Sequence, residues 1–281
     1  MKLLSLNVHS WMEIHPSEKL LHLAQAIVAH RVDIVALQEV NQLRLPEPDY
    51  STEPSSRVSS QMRLPHPAAG FDNFAALLCQ LLASWGEDYT WYWSPAHIGF
   101  ERYDEGVAIL VRQDSFPVTT QKTLVLTDHP YNDVRRRVAQ AVCFQDFWVA
   151  SGHFSWWERD GAALFRPEWD TLQAFSNAQL DQGKPTLVAG DLNNPASVIG
   201  EGFDYVRSLG WLDTYQLCAE PQGANTIMEP IAGWEDTTGP RRIDYVLSNT
   251  AISVTQHSVI FDGKNFPVVS DHYGLLVELR W

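Results

Sequence analysis

Apolar and polar positions follow two rhythms along this chain: helical spacing in a few stretches, and short apolar runs that stop abruptly on a polar side chain. Lys2 to Val8 reads as a strand. Ser17 to His30 carries Leu20, Leu23, Ala24, Ile27 and Val28 at the spacing of an amphipathic helix, with Pro16 and Ser17 as its start signal. Asp33 to Glu39 is a second buried strand, and Phe71 to Trp85 returns to helical spacing. Strands then follow at Tyr89 to Trp93, Gly106 to Val111, Thr119 to Leu126, Arg135 to Phe144 and Phe147 to Ser151, the last two joined as a hairpin at Gln145-Asp146. Trp169 to Leu180 predicts a helix, Thr186 to Ala189 a strand and Gly202 to Leu209 a short helix. Arg242 to Leu247, Ser258 to Phe261 and Tyr273 to Leu279 supply three closing strands.

Helices between some strands and hairpins between others predict an α/β fold of two mixed sheets packed together with helices outside, a four-layer α/β/β/α sandwich. No internal repeat and no long linker divides the chain, so residues 1–281 are expected to form one domain. Residues 44–70 depart from both rhythms, with Pro46, Pro48, Pro54, Pro65 and Pro67 among polar residues, and are expected to form a loop bordering a cleft.

Charge narrows the partners. Lys and Arg number 20 against 34 Asp and Glu, a formal charge of -14. Nucleic-acid affinity draws on basic faces, and Arg135-Arg136-Arg137 is the sole basic run, so strong nucleic-acid binding is not expected. Cys79, Cys143 and Cys218 are an odd number, widely spaced among apolar residues, and read as buried thiols in a reducing compartment. Asn7 and His9 interrupt the apolar start before it reaches signal-peptide length, and no segment approaches a membrane span. These features lead to the expectation of a soluble, cytoplasmic protein.

The chemistry gathers where the apolar runs begin or end: Asn7, Glu39, His153, Asp191, Asn193, Asp244, Asp271 and His272. Thr186-Leu187-Val188-Ala189-Gly190-Asp191-Leu192-Asn193-Asn194 shows the pattern best, a buried strand from which Gly190 lets the chain turn sharply into oxygen-rich side chains. If these ends share one rim, they form a pocket of carboxylates, amides and two imidazoles. Such donors suit a hard divalent cation such as Mg²⁺, whereas no H-E-x-x-H or C-x-x-C spacing points to zinc. His9, His15, His22 and His30 lack ligand spacing and read as surface or helix-face residues.

Seven short motifs, in order, carry a resemblance that covers nearly the whole chain: Leu6-Asn7, Leu37-Gln38-Glu39, Glu105 to Leu110, Gly152-His153-Phe154, Gly190-Asp191-Leu192-Asn193, Arg242-Ile243-Asp244-Tyr245 and Ser270-Asp271-His272. Together they resemble the endonuclease/exonuclease/phosphatase superfamily, with its deoxyribonuclease I-like fold. The resemblance implies a metal-dependent phosphohydrolase with Mg²⁺, or Mn²⁺, held by Glu39, Asn7 and Asp271. It implies that Asp191 orients or deprotonates the attacking water and that Asn193 holds a phosphate oxygen. His153 and His272 would act at the phosphoryl group, Asp244 orienting His272 and Glu105 partnering His153.

Substrate choice falls to the loops. Arg136 and Arg137, read as opening a strand with Arg136 facing opposite to its neighbours, are either a solvated edge or a clamp on substrate phosphate. Arg241-Arg242 carries the same two readings. Trp156, Trp157 and Trp234 either pack their loops against the body or stack on a sugar ring. Gly152 to Trp157, Asn193-Asn194-Pro195, Gly200 to Asp204 and Pro267 to His272 resemble the bacterial branch acting on maltose 6'-phosphate, which implies a small phosphorylated sugar as partner. A phosphodiesterase, whether nuclease or sphingomyelinase-like, and a non-catalytic binding module are the other readings.

Overall fold

A computed structural model describes residues 1–44, 69–231, 233–234 and 239–281. The chain runs β1 (Lys2–Asn7), α1 (Pro16–His30), β2 (Ile34–Leu43), α2 (Phe74–Ser84), β3 (Tyr89–Gly99), β4 (Tyr103–Arg112), β5 (Thr120–Val125), β6 (Val138–Cys143) and β7 (Trp148–His153). It continues through a small hairpin, β8 (Glu158–Arg159) and β9 (Ala162–Ala163), then α3 (Phe165–Leu180), β10 (Thr186–Asp191) and α4 (Gly202–Ser208). Last come β11 (Leu212–Asp213), α5 (Thr214–Leu217), β12 (Asp244–Ser248), β13 (Ser253–Ile260) and β14 (Gly274–Arg280). The expected loop at 44–70 lies, but for its ends, outside the described residues.

Two six-stranded sheets result, ordered β13-β14-β1-β2-β4-β3 and β11-β12-β10-β7-β6-β5. Alternation along each strand sends one set of side chains between the sheets and the other toward the helices. Leu3, Ile34, Ala36 and Ile109 meet Val142, Val149, Leu187, Ala189 and Val246 in the middle layer. Leu20, Leu23, Ala24 and Ile27 of α1 and Leu78 and Leu82 of α2 cover the outer face of the first sheet. Phe165, Trp169 and Leu172 of α3, with Phe203 and Val206 of α4, cover that of the second. This is the four-layer α/β/β/α sandwich. All three cysteines are free and buried, and no helix among the described residues is long and apolar enough to cross a membrane.

Two local features of the strand pairing shape the rim. Strands β10 and β7 run parallel with Gly190 beside Gly152, so close that a Cβ on Gly190 would lie 1.9 Å from the Gly152 carbonyl oxygen. A glycine at 190 therefore permits Asp191 to sit beside His153 in the register, with Asp244 of antiparallel β12 on its other side. The second feature is a bulge in the β2–β4 pairing between Leu37 and Val40. Leu37 and Val40 both pack toward the helices, and Glu39 adopts φ 52. Strict alternation would send Glu39 with Leu37 into the helix-facing core; the extra residue turns its carboxylate out to the rim.

The Arg135–Arg137 run does not open a strand. Arg136 N–H closes a turn onto the Asp133 carbonyl at 2.9 Å, and β6 starts at Val138. Arg242 is neither a solvated edge nor a clamp: it is buried, and its Nη1 pairs with Asp213 Oδ2 at 2.6 Å. The rings of Phe203, Tyr215 and Tyr245 surround its guanidinium at 5.0, 4.7 and 4.8 Å. Removing the acid leaves a cation stranded among rings, which costs about 3–5 kcal/mol. Asp213→Ala is therefore expected to lower Tm by roughly 6–20 °C in a thermal melt.

Candidate active site

Asn7 joins the two halves of the site. Its Nδ2 donates to Glu39 Oε1 at 2.8 Å and to Asp191 Oδ2 at 3.2 Å, across 184 positions of sequence. Asp191 Oδ2 also lies 3.7 Å from Nε2 of both His153 and His272, while Oδ1 accepts the Asn193 backbone N–H at 2.8 Å. One carboxylate from β10 thus faces an amide from β1 and imidazoles that end β7 and precede β14. Asp271 sits next to these, its side chain 29% exposed, with Oδ2 3.8 Å from His9 Nδ1.

The surroundings divide the two imidazoles. Burial, with help from the Arg137 guanidinium, holds the His153 pKa well below the ordinary histidine value. Burial acts in the same direction on His272, but Asp244, at 3.0 Å from Nδ1, and Asp191 outweigh it and hold that pKa well above the ordinary value. At neutral pH His153 is neutral and His272 cationic. Burial, with Asp244 nearby, raises Asp191 to about 7, and burial together with Glu105 raises Glu39 to about 8.

Hydrogen bonds also fix the His153 tautomer. Trp234 Nε1 donates to Asn193 Oδ1 at 3.0 Å, so the amide nitrogen of Asn193 faces the Phe154 carbonyl at 2.9 Å and His153 Nε2 at 3.0 Å. His153 Nε2 must then accept, leaving its proton on Nδ1, toward Glu39 Oε1 at 3.9 Å. Asn193 is expected from the sequence to hold a phosphate oxygen; here both its amide hydrogens are committed, and it orients His153. Trp234 reaches the site through Asn193 rather than as a stacking face.

Several assignments change with the geometry. Glu105 lies inside β4, not before it, and no oxygen of it comes within 4.0 Å of a His153 nitrogen. Its partner is His97, its cross-strand neighbour, at 3.2 Å. Asn7 presents its amide nitrogen, not its oxygen, to Glu39. Trp157 packs on Phe165 and Tyr205 beside the α3 core, away from the pocket. Arg136 donates to the Pro95 carbonyl at 3.3 Å and to that of Ala96, supporting β3 instead of facing the cleft.

The remaining groups line a cavity of about 450 Å³. Arg137 enters it with only 6% of its surface exposed; Nε donates to Ser155 Oγ at 3.2 Å, and Ser155 N–H donates to Glu168 Oε2 at 2.8 Å. Trp156 lines the wall, but the guanidinium of Arg159 lies 4.4 Å over its ring. Sequence patterning misses His9, His97 and Arg159, all of which line the cavity. His9 stands two residues past Asn7 and pairs with Glu13 at 2.9 Å, four positions on; that spacing at a strand end was the available signal. For Arg159 the signal was Asp160-Gly161, a hairpin dipeptide.

Two packed mixed sheets with carboxylates, amides and paired imidazoles at one rim define a class, the α/β/β/α phosphoester hydrolases. The model described as "Endonuclease/Exonuclease/phosphatase family" matches residues 11–272, and the chain belongs to that family. The structure is similar to an endonuclease/exonuclease/phosphatase family protein from Leptotrichia buccalis C-1013-b, with a TM-score of 0.79 and 27% identity over 100% of both chains. It is similar in fold to a Bacteroides thetaiotaomicron VPI-5482 mannosyl-6-phosphatase, with a TM-score of 0.69 and 15% identity over 100% of both chains. The human Nocturnin catalytic domain gives a TM-score of 0.62 and 19% identity, covering 100% of this chain and 93% of that one. No curated protein sequence matches the chain. Members of the family are divalent-metal-dependent phosphoester hydrolases.

Proposed function

We propose that this protein is a phosphomonoesterase that releases phosphate from a small phosphorylated sugar, with Mg²⁺ as its cation and Mn²⁺ as a substitute. The observation that carries this reading is the cavity. Asp191, His153 and His272 open into about 450 Å³ walled by Phe100, Trp156, Leu164 and Ile231, a size that suits a phosphorylated mono- or disaccharide. The charge of -14 disfavours a polyanionic substrate, and one relative by fold is named as a mannosyl-6-phosphatase.

The residues present fit a divalent cation. Glu39, Glu105 and Asp271 crowd carboxylates at the cavity, and Glu39 is forced up to about 8 by burial and its acidic neighbours. Glu39 and Asp271 supply the oxygen ligands such a cation prefers, and Asn7 holds Glu39 in place. When bound, it would neutralise charge on the phosphate and on the leaving oxygen.

Asp191, near 7, takes the proton of the attacking water, a base matched to neutral pH. His272 lies 3.7 Å from that carboxylate, so both act on the same side of phosphorus: Asp191 on the water, cationic His272 on a non-bridging oxygen. The leaving oxygen departs opposite the water, away from both, and takes its proton from solvent, to which Asp191 then releases the proton it gained. Arg137 adds a guanidinium with no carboxylate within 4.0 Å among the described residues.

A phosphate-release screen across sugar phosphates with Mg²⁺ or Mn²⁺, run beside a plasmid-nicking assay, tests the reading. Release from a sugar phosphate without nicking is the expected result. Nicking without phosphate release would favour the phosphodiesterase reading.

A further inference from the structure

We propose that Arg159, at the end of the β8–β9 hairpin, recognises the hydroxyl-bearing part of the substrate and sets the preference for sugar phosphates over other phosphomonoesters; this rests on the sugar-phosphate reading above. The sequence suggests indole stacking for that task, yet the Trp156 ring already carries a partner. The Arg159 guanidinium centre lies 4.4 Å over it, and both residues line the cavity.

The hairpin holds Arg159 in place. Glu158 pairs with Ala163 and Arg159 with Ala162, and Asp160 and Gly161 turn the chain at φ 54 and φ 76, the two positive values of a tight hairpin turn. Leu164 N–H and Phe165 N–H return to the Trp157 and Trp156 carbonyls at 3.1 and 3.2 Å, tying the hairpin to fully buried Phe165. Trp156 is backed by Gly233: a Cβ there would come within 2.4 Å of the indole Cζ2. A guanidinium stacked on a braced indole has surrendered much of its freedom before substrate arrives, so little entropy is lost on binding.

Among the described residues its hydrogen-bonding capacity is meanwhile unspent. Among the described residues no carboxylate oxygen lies within 4.0 Å of the Arg159 nitrogens, whereas Arg135, on the same cavity, is held by Asp133 at 2.6 Å. Asp160 lines the cavity beside Arg159. A planar fork of donors next to a carboxylate acceptor matches neighbouring hydroxyls of a sugar ring, each of which donates and accepts. The pair carries no net charge, which suits a neutral polyhydroxyl group better than a second anion. Arg137, buried and beside His153, is left for the phosphoryl end.

The test compares a phosphorylated disaccharide with 4-nitrophenyl phosphate as substrates of the Mg²⁺-loaded enzyme. Arg159→Ala is expected to lower the ratio of kcat/KM for the disaccharide phosphate over the aryl phosphate about 10-fold or more, through KM, as loss of a hydroxyl contact should. Arg159→Lys keeps the charge without the fork and should recover little of it. Because Arg159 rests on the indole, Trp156→Ala should show the same bias, and the double variant should be no worse than Arg159→Ala alone. An unchanged ratio, or full rescue by lysine, would overturn the assignment of Arg159 and leave the sugar-phosphate reading standing. Failure of the unaltered enzyme to release phosphate from any sugar phosphate would overturn both.

Discussion

Asp191→Asn is expected to lower kcat by about 10³-fold or more while leaving the fold intact, with Asp191→Ala at least as severe. The asparagine keeps the shape and can still accept the Asn193 N–H that now reaches Oδ1 at 2.8 Å. It cannot take a proton from water, and it no longer offers His272 and Asn7 an anion at 3.7 and 3.2 Å. Stability should move the other way. Burial and Asp244 place the folded-state pKa of Asp191 at about 7, above the ordinary 3.8. A carboxyl raised in this way favours the folded protein when protonated, and that contribution is lost as pH rises from about 3.8 through about 7. The Asp191→Asn variant does not incur this loss, so its Tm at pH 8 should equal or exceed that of the unaltered protein. Phosphate release and thermal melts on the same preparations check both halves; turnover within tenfold of the original would remove Asp191 from the chemistry.

The rim was legible because each strand there announces its own end. Lys2–Asn7, Trp148–His153 and Thr186–Asp191 are apolar runs halted by one polar residue, and parallel pairing then lays His153 beside Asp191 without further instruction. Gly190 carried its reason in the sequence as well, since the sharp exit it allows is matched by its contact with Gly152. What stayed hidden depends on geometry that a period of two cannot express. The bulge that brings Glu39 to its expected place on the rim breaks the alternation that located the strand and leaves no mark on it. Glu105 opposes His97 because of a second bulge, between Pro95 and His97 in β3. Arg135 to Arg137 looked like strand because a turn held by the Asp133 carbonyl leaves no mark on an apolar pattern. Trp157 and Trp156 are adjacent and chemically identical, yet one fills the core beside α3 and the other carries Arg159 at the cavity. Strands as short as β8 and β9 have no period to read.

His272→Ala is expected to cost about as much as the loss of Asp191, on the order of 10³-fold in kcat, and Asp244→Asn shows why. His272 is buried, and burial alone would strip its proton; Asp244, 3.0 Å from Nδ1, and Asp191 reverse that. The pair stabilises the folded protein fully below the ordinary histidine value of 6.5, and this contribution fades as pH climbs through the raised folded value. Asparagine in place of Asp244 can still accept from Nδ1 and keep the ring in place, but it removes the anion that does most to hold the proton. His272 then loses its charge at a lower pH, and the alkaline limb of the kcat/KM profile should move toward acid by about one unit or more. The acidic limb, if set by Asp191, should also shift toward acid, because the Asp244 charge that helps raise the Asp191 pKa is gone. A merely structural role for Asp244 would lower activity evenly across pH, so a profile that drops without moving would separate Asp244 from the charge on His272.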